Sequence, residues 1–413
     1  MQSNWFIAAD DLTGAADCAI AFTKVGTPAA VCWGEGNSSA PVVSANIESR
    51  ALTAAQAASA HREALERFWS PNTLLYKKVD STLRGQPAAE LVATVDFLKE
   101  KGAGAFVIVT PAFPGTGRTT EGGAVLVQGQ PLESTPLWAR DHTYESAHIP
   151  TILTEAGLPA EAVSLSCVRQ GAQELGRLID EARSKGLAAL VCDAASEDDL
   201  DIIAAATLPR AQHLFWVGSG GLAAALARQE NKATHSLSLN LQAKRGGVLI
   251  AVGSLAEASR ASAQRLVESG KVRHALIGPD VILADDKSRL DAVAASVLAD
   301  LASGQDVVVE VALTESPDLT LGTRLMDSLA ASLRPAADVV GGLIATGGDT
   351  AVALLNHFGV NGLDLIEEVE SGIPLGLSIG QVRTPVVTKA GAFGGENTLP
   401  RCLERIHALS ERQ

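Results

Sequence analysis

The chain carries no CxxC pair, no HExxH and no GxxxxGK[ST], and each absence removes a class of function. Without cysteine pairs or histidines at ligand spacing, a zinc site is not expected. Cys18, Cys32, Cys167, Cys192 and Cys402 read as reduced, mostly buried thiols. Without the Walker A pattern, this is not a P-loop enzyme. A GxSxG nucleophile elbow is not expected either, since neither Ser219 nor Ser254 has a nominated histidine partner. The start, Met1-Gln2-Ser3-Asn4 before a short apolar run, reads as neither a signal peptide nor a membrane span, so the expected location is cytoplasmic. No block of Lys and Arg occurs. The 33 basic and 47 acidic residues give a net charge of −14, which argues against nucleic acid and anionic membrane as partners. A few focused cations in a cleft can still hold an anionic substrate against that average field.

What is present is a long and apolar chain, 413 residues at 46% hydrophobic, for which two domains are the natural expectation. Short β-branched or apolar runs at 5–9, 73–77, 105–109, 187–192 and 213–217 alternate with helical patterns at 54–68, 88–101 and 172–185. This is the signature of βαβ units. Around 111–140 glycine and proline accumulate, and a long functional loop or a β-hairpin excursion is expected. The polar stretch 231–246 breaks the periodicity, which restarts with strands at 247–252, 306–311, 341–345 and 385–387 and helices at 257–269, 319–333 and 351–358. The fold class predicted is therefore α/β in two domains, each a mostly parallel sheet flanked by helices, with the active site in the cleft between them. The domains are expected at 1–230 and 247–413, joined by a linker at 231–246.

In open α/β sheets ligands gather beyond the C-terminal strand ends, so the loops after strands are the places to search. Asp10-Asp11-Leu12-Thr13-Gly14 pairs two carboxylates that suit a polyol or a cation, or else cap a helix. Lys77-Lys78-Val79-Asp80-Ser81-Thr82-Leu83-Arg84-Gly85 supplies cations, a carboxylate and hydroxyls, the set needed to hold a hydroxy acid, with Arg84 able to grip a carboxylate bidentately. Pro111-Ala112-Phe113-Pro114-Gly115-Thr116-Gly117-Arg118 reads as a rigid loop wall. After 246, glycine loops at Gly253-Ser254, at Thr346-Gly347-Gly348-Asp349-Thr350 and at Thr388-Lys389-Ala390-Gly391 can turn backbone N–H groups toward phosphate oxygens. Gly218-Ser219-Gly220-Gly221-Leu222-Ala223 matches GxGxxA, but no second strand ending in an acid follows. It is read as a tight βα turn at the domain edge rather than a dinucleotide site.

Taken in order, ADDLTGAAD, KKVDSTLRG, PAFPGTGR, VGSGGLAAALA, TGGDTA and TKAGAFGG resemble the four-carbon acid-sugar kinase family over residues 10–395. The resemblance implies an N-terminal domain for the sugar acid, a C-terminal domain for ATP with Mg²⁺, and phosphorylation of a terminal 4-hydroxyl. Carried over by motif, the substrate contacts are Asp10, Asp11, Arg50 from Glu48-Ser49-Arg50, Lys78, and Asp80, Ser81, Thr82, Leu83 and Arg84. The ATP contacts are Ser254, Gly347, Gly348, Asp349, Thr350 and Gly391. Asp11 is the first candidate to accept the hydroxyl proton and Asp80 the second, while Asp349 is the candidate metal neighbour. Two positions depart from the family pattern: Gly253-Ser254-Leu255-Ala256 has fewer hydroxyls than usual, and Asp349 stands where many relatives carry Glu. The KKVDSTLRG form resembles D-threonate and D-erythronate kinases more than 3-oxo-tetronate kinases, with D-threonate preferred. An NAD-dependent sugar-acid dehydrogenase is the alternative from another class. The partners expected are a small sugar acid and ATP, and the sequence leaves room for a homo-oligomer.

Overall fold

The computed structural model describes residues 3–140, 142–230, 246–314, 319–389, 391 and 393–411. The chain divides into two compact units, Met1–Val31 with Ser39–Ser236 and Cys32–Ser38 with Leu237–Gln413. The expected linker, 231–246, lies outside the described residues apart from Gly246, as do Ala390 and Ala392 of the last glycine loop.

The first unit contains strands β1 (Asn4–Ala9), β2 (Ala29–Cys32), β3 (Val42–Asn46), β4 (Thr73–Lys78), β5 (Phe106–Thr110), β6 (Arg118–Glu121), β7 (Ala124–Val127), β8 (Gln130–Pro131), β9 (Ala160–Val163), β10 (Ala189–Cys192) and β11 (Leu214–Gly218). Its main sheet runs β2-β3-β1-β4-β11-β5-β10-β9, and every pairing from β3 to β9 is parallel. Central strands such as β5, Phe-Val-Ile-Val-Thr, are buried along their whole length because helices cover both faces. Side chains alternate across the sheet. Phe6 and Ala8 join a core with Leu65, Leu91, Val95 and Leu98 of the helices Ala54–Phe68 and Pro87–Glu100. Trp5 instead meets Phe22 of the helix Leu12–Lys24, their ring centroids 5.2 Å apart.

Local chemistry sets the helix starts: Thr53 and Gln56 form a reciprocal capping box, and Asp11 caps Leu12–Lys24 by accepting from Gly14 N at 3.0 Å. The expected excursion at 111–140 is a small antiparallel sheet, β6-β7-β8, whose β6–β7 turn uses Gly122 and Gly123 at φ 58° and 78°. The buried Asp193 accepts from both of those glycine N–H groups, at 2.6 and 2.9 Å.

The GxGxxA segment is the tight βα turn expected, joining β11 to the helix Gly220–Glu230, and β11 itself sits in the sheet interior between β4 and β5. A Cβ at Gly221 would lie 2.7 Å from the Ala112 carbonyl, and one at Gly220 would lie 3.1 Å from the Phe113 ring. These glycines admit the 112–113 loop against the helix Gly220–Glu230, and the loop occupies the approach a pyrophosphate would need.

The second unit holds β12 (Val248–Val252), β13 (Arg273–Ile277), β14 (Val307–Val311), β15 (Gly342–Thr346), β16 (Val360–Glu370), β17 (Ile373–Gly380) and β18 (Pro385–Lys389), in the order β13-β14-β12-β15-β18-β17-β16. The first five of that order pair in parallel, while β17 is antiparallel to both neighbours. The letters GxSxG, not expected, do occur at Gly376-Leu377-Ser378-Ile379-Gly380, but within β17 rather than at a strand-to-helix turn. Ser378 is buried there and its hydroxyl donates to the Val382 carbonyl at 2.6 Å, so no nucleophile elbow exists at that position. Of the cysteines, Cys18, Cys32, Cys192 and Cys402 are buried free thiols and Cys167 is half-buried. Among the described residues, no helix is long and apolar enough to cross a membrane.

Candidate functional site

In the first unit the chain runs outward from β1 in both directions, so β3, β1 and β4 lie side by side at the point where the strand order reverses. Ligands bind at such points in open α/β sheets. Asp10 follows β1, Lys78 ends β4, and Arg50 lies just beyond β3, its N–H donating to the Asp10 carbonyl at 3.3 Å. The guanidinium of Arg50 gathers the carboxylates. Its Nε donates to Asp10 Oδ2 at 2.8 Å, Nη1 to Asp11 Oδ2 at 2.9 Å, and Nη2 lies 3.7 Å from Asp80 Oδ1. Lys78 Nζ stands 3.8 Å from Asp10 and 4.0 Å from Asp11.

The 80–85 loop closes on itself. Arg84 grips Asp80 bidentately, Nε to Oδ2 at 2.9 Å and Nη2 to Oδ1 at 2.8 Å, and both the backbone N–H and the hydroxyl of Thr82 donate to the same carboxylate. Leu83 takes φ 59° inside this turn, and Ser81 is half-buried beside it. The fork that the sequence offers to a ligand carboxylate is thus aimed at Asp80 in the free chain.

Charge coupling is strong. Burial works against ionised Asp80, but the hydrogen bonds from Arg84 and the charges of Arg50, Arg84 and Lys78 outweigh it and hold the carboxyl well below the usual range. Burial likewise opposes the charges on Arg50 and Lys78, and Asp10 and Asp11 more than offset it in both cases. Asp10 Oδ1 is buried and accepts no hydrogen bond, as is Asn46 Oδ1 at the end of β3 next to Ala9. A buried acceptor on Asp10 beside Arg50 and Lys78, with a second on Asn46 at the neighbouring strand end, suits a ligand that carries both hydroxyls and a carboxylate. Asn46 was not anticipated; as a lone amide at a strand end it has no motif to reveal it.

The second unit repeats the logic at β14-β12-β15, where its own strand order reverses. A cavity of about 370 Å³ opens there, within the range of small-molecule sites. Ser254, Gly347, Gly348, Asp349 and Thr350 line one side. Gly347 adopts φ 104°, open to glycine, and caps the ten-residue helix Gly348–His357, whose N-terminus faces the cavity lining. Gly391 does not line the cavity but abuts its wall: a Cβ there would sit 2.1 Å from Ser254 Oγ. Arg260 braces the loops from behind, with Nε donating to the Ser254 carbonyl at 2.7 Å and Nη1 to the Val311 carbonyl at 2.6 Å.

The lining also has an apolar set: Leu255, Pro279, Val311, Leu313, Leu325 and Met326. Leu255 and Leu313 are 47% and 59% exposed, so this part of the lining offers apolar surface to a ligand. None of these six was anticipated, because apolar residues on a helix or strand end look like core until the fold leaves them facing a cavity. Among the described residues no group of three or more His, Cys, Asp or Glu could hold a metal ion. Asp349 is exposed on the lining, and one carboxylate with phosphate oxygens is the usual company of Mg²⁺.

Residues 5–226 match the family described as a sugar-binding N-terminal domain, and residues 249–399 match a nucleotide-binding C-terminal domain. The chain is 40% identical to the D-threonate kinase of Cupriavidus necator, across 96% of both chains. It is 35% identical to the D-threonate kinase of Bordetella bronchiseptica, across 97% of this chain and 96% of that one. A crystal structure of a Haemophilus influenzae protein superimposes with a TM-score of 0.80 at 21% identity, covering 97% of this chain and all of the other, and shows the same fold. With both halves matched and relatives aligned from end to end, the chain belongs to the four-carbon acid-sugar kinase family.

Proposed function

We propose that this protein transfers the γ-phosphoryl group of ATP to the 4-hydroxyl of a four-carbon sugar acid, converting D-threonate to 4-phospho-D-threonate in the cytoplasm. The observation that carries the reading is the cradle around Arg50: Asp10 Oδ1, buried without a hydrogen bond, lies 3.8 Å from Lys78 Nζ, and Asn46 Oδ1, also buried without a hydrogen bond, ends the adjacent strand β3. Arg50, Lys78 and Arg84 hold the carboxylate end, while Asp10 and Asn46 accept from hydroxyls. Ser81 and Thr82 shape the wall, and Leu83 gives the turn its bend.

Phosphoryl transfer needs in-line positioning and charge neutralisation more than a strong base. The C4 oxygen bonds to the γ-phosphorus as the bond to the bridging oxygen of ADP breaks, and the hydroxyl proton passes to Asp11. Asp11 is preferred over Asp80 because it is 28% exposed and faces Arg50, whereas Asp80 is enclosed by Thr82 and Arg84. In the second unit, Ser254, Gly347, Gly348 and Thr350 present backbone and hydroxyl donors to phosphates, with Gly391 behind Ser254. The apolar wall suits the adenine ring. Mg²⁺, held by Asp349 and the nucleotide phosphates, would neutralise charge on the transferring group.

The test is an ADP-release assay with Mg-ATP against D-threonate, D-erythronate and 3-oxo-tetronates, alongside a nicotinamide absorbance assay. ATP-dependent turnover greatest with D-threonate is expected. Turnover greater with another tetronate overturns the substrate, and reduction of NAD without ADP release overturns the class.

Gly14→Ala separates cradle from fold. A Cβ at Gly14 would fall 2.4 Å from Lys78 Nζ and 2.6 Å from Asp11 Oδ1, so both groups must move. Alanine is worth about 0.5–1 kcal/mol over glycine inside a helix. The alanine gain is set against a disturbed Asp11 cap, so thermal stability is expected to change little, with KM for D-threonate up at least about tenfold, since small misplacements of positioning groups are costly. An unchanged KM would show that Lys78 does not touch the acid.

A further inference from the structure

Lys77 and Lys78 are adjacent on β4 and therefore project to opposite faces of the sheet. Lys78 reaches the cradle. Lys77 enters a fully buried polar cluster that the reaction does not use. Its Nζ donates to Glu90 Oε2 at 2.6 Å, while Ser49 Oγ donates to Glu90 Oε1 at 2.6 Å. His61 Nε2 lies 3.1 Å from Ser49 Oγ and 3.5 Å from Lys77 Nζ. All four side chains are at most 1% exposed. Burial first, and then the Lys77 charge, keep the His61 imidazole below its ordinary pKa and so neutral near pH 7.

Ion pairs this deep seldom add net stability over well-packed apolar residues, so their placement is the informative feature. Ser49 immediately precedes Arg50, and Lys77 immediately precedes Lys78. Lys77 Nζ also lies 3.3 Å from the Lys78 carbonyl, which accepts from it. Glu90, on the helix Pro87–Glu100, therefore ties together the two backbone segments that present the cradle cations. The turn it holds needs holding. Glu48 sits at φ 56°, a left-handed conformation unusual for a side chain of this kind, two residues before Arg50.

We infer that Glu90, with Ser49, Lys77 and His61, is a positioning unit that sets Arg50 and Lys78 at the spacing the sugar-acid carboxylate requires. This rests on reading the cradle as the sugar-acid site. The group acts through Arg50 and Lys78 and touches neither substrate nor nucleotide.

Ser49→Ala is the main test, because it removes one hydroxyl and leaves the Lys77–Glu90 pair intact. Expected is a rise of about 10- to 100-fold in KM for D-threonate with KM for ATP unchanged. In the free protein, amide exchange across 47–52 should quicken while that of β5 stays as in wild type. The exchange arm needs no substrate. If the wild-type protein ignores D-threonate, the functional reading fails and the positioning claim still stands or falls on exchange. Wild-type exchange at 47–52 overturns the positioning unit. So does a lowered melting temperature with both KM values unchanged, which would mark the cluster as core alone.

Discussion

Asp11→Asn is expected to lower kcat by about 10²–10³-fold while the protein folds as before, in keeping with the contribution of a positioned acid–base group. The fold survives because asparagine caps a helix about as well as aspartate, so the acceptance from Gly14 N is preserved. What is lost is the charge. Asparagine cannot take the hydroxyl proton, and the Arg50 guanidinium, 2.9 Å from both Asp11 oxygens, loses one of its carboxylate partners. Circular dichroism and the melting temperature should match wild type, and KM for D-threonate should change far less than kcat. Turnover close to wild type would remove Asp11 from the role. Because phosphoryl transfer asks little of its base, a fall much beyond this range would point to disturbance of the whole cradle.

Glu90→Gln is expected to cost about 3–5 kcal/mol of folding stability, the usual consequence of stranding one member of a buried ion pair. The amide keeps the shape but leaves the Lys77 ammonium, fully buried, facing a neutral group. Chemical denaturation at pH 7.5 measures the loss. The double replacement Lys77→Met with Glu90→Leu should recover most of it, since a matched apolar pair removes the stranded charge. That variant should remain poor in KM for D-threonate, as the tie between Arg50 and Lys78 is still cut.

The wild-type pair also makes stability depend on pH. Burial opposes the Glu90 charge, but Lys77 and His61 outweigh it and hold its folded pKa below the unfolded 4.5. Its contribution is therefore present above pH 4.5 and lost as the pH falls below. His61 is held below its unfolded value of 6.5, so the unfolded chain takes up a proton first and stability begins to fall below pH 6.5. Urea midpoints should decline from pH 7 downward in two stages. A flat profile between pH 7 and 5 would show that His61 is not buried in its neutral form.

Much of the site is visible as a string of residues. The runs at 73–77 and 105–109 appear as β4 and β5 nearly to the residue, and the loops after β1, β4, β12 and β15 carry the proposed ligand-binding groups. Those features are local: β-branched runs, capping residues and glycines at strand ends speak for themselves over a few positions. The edge strand β13, Arg-His-Ala-Leu-Ile, and β16, with Glu367, Glu368 and Glu370, gave no such pattern, since partly exposed strands need not alternate cleanly.

By itself, then, the amino-acid sequence determined that the chain makes two α/β units, with charged loops before residue 231 and glycine loops after 246. Tertiary structure alone decided that β3, β1 and β4 are neighbours, and hence that Arg50, far from Asp10 and Asp80 along the chain, gathers both. It also decided that Lys77 turns inward to Glu90 while Lys78 faces the cradle, and that Leu255 and Leu313 line a cavity rather than fill a core. The reason is range. Periodicity and capping act over one turn or one strand, whereas strand order, and with it every contact across the sheet, is settled only when distant segments pack.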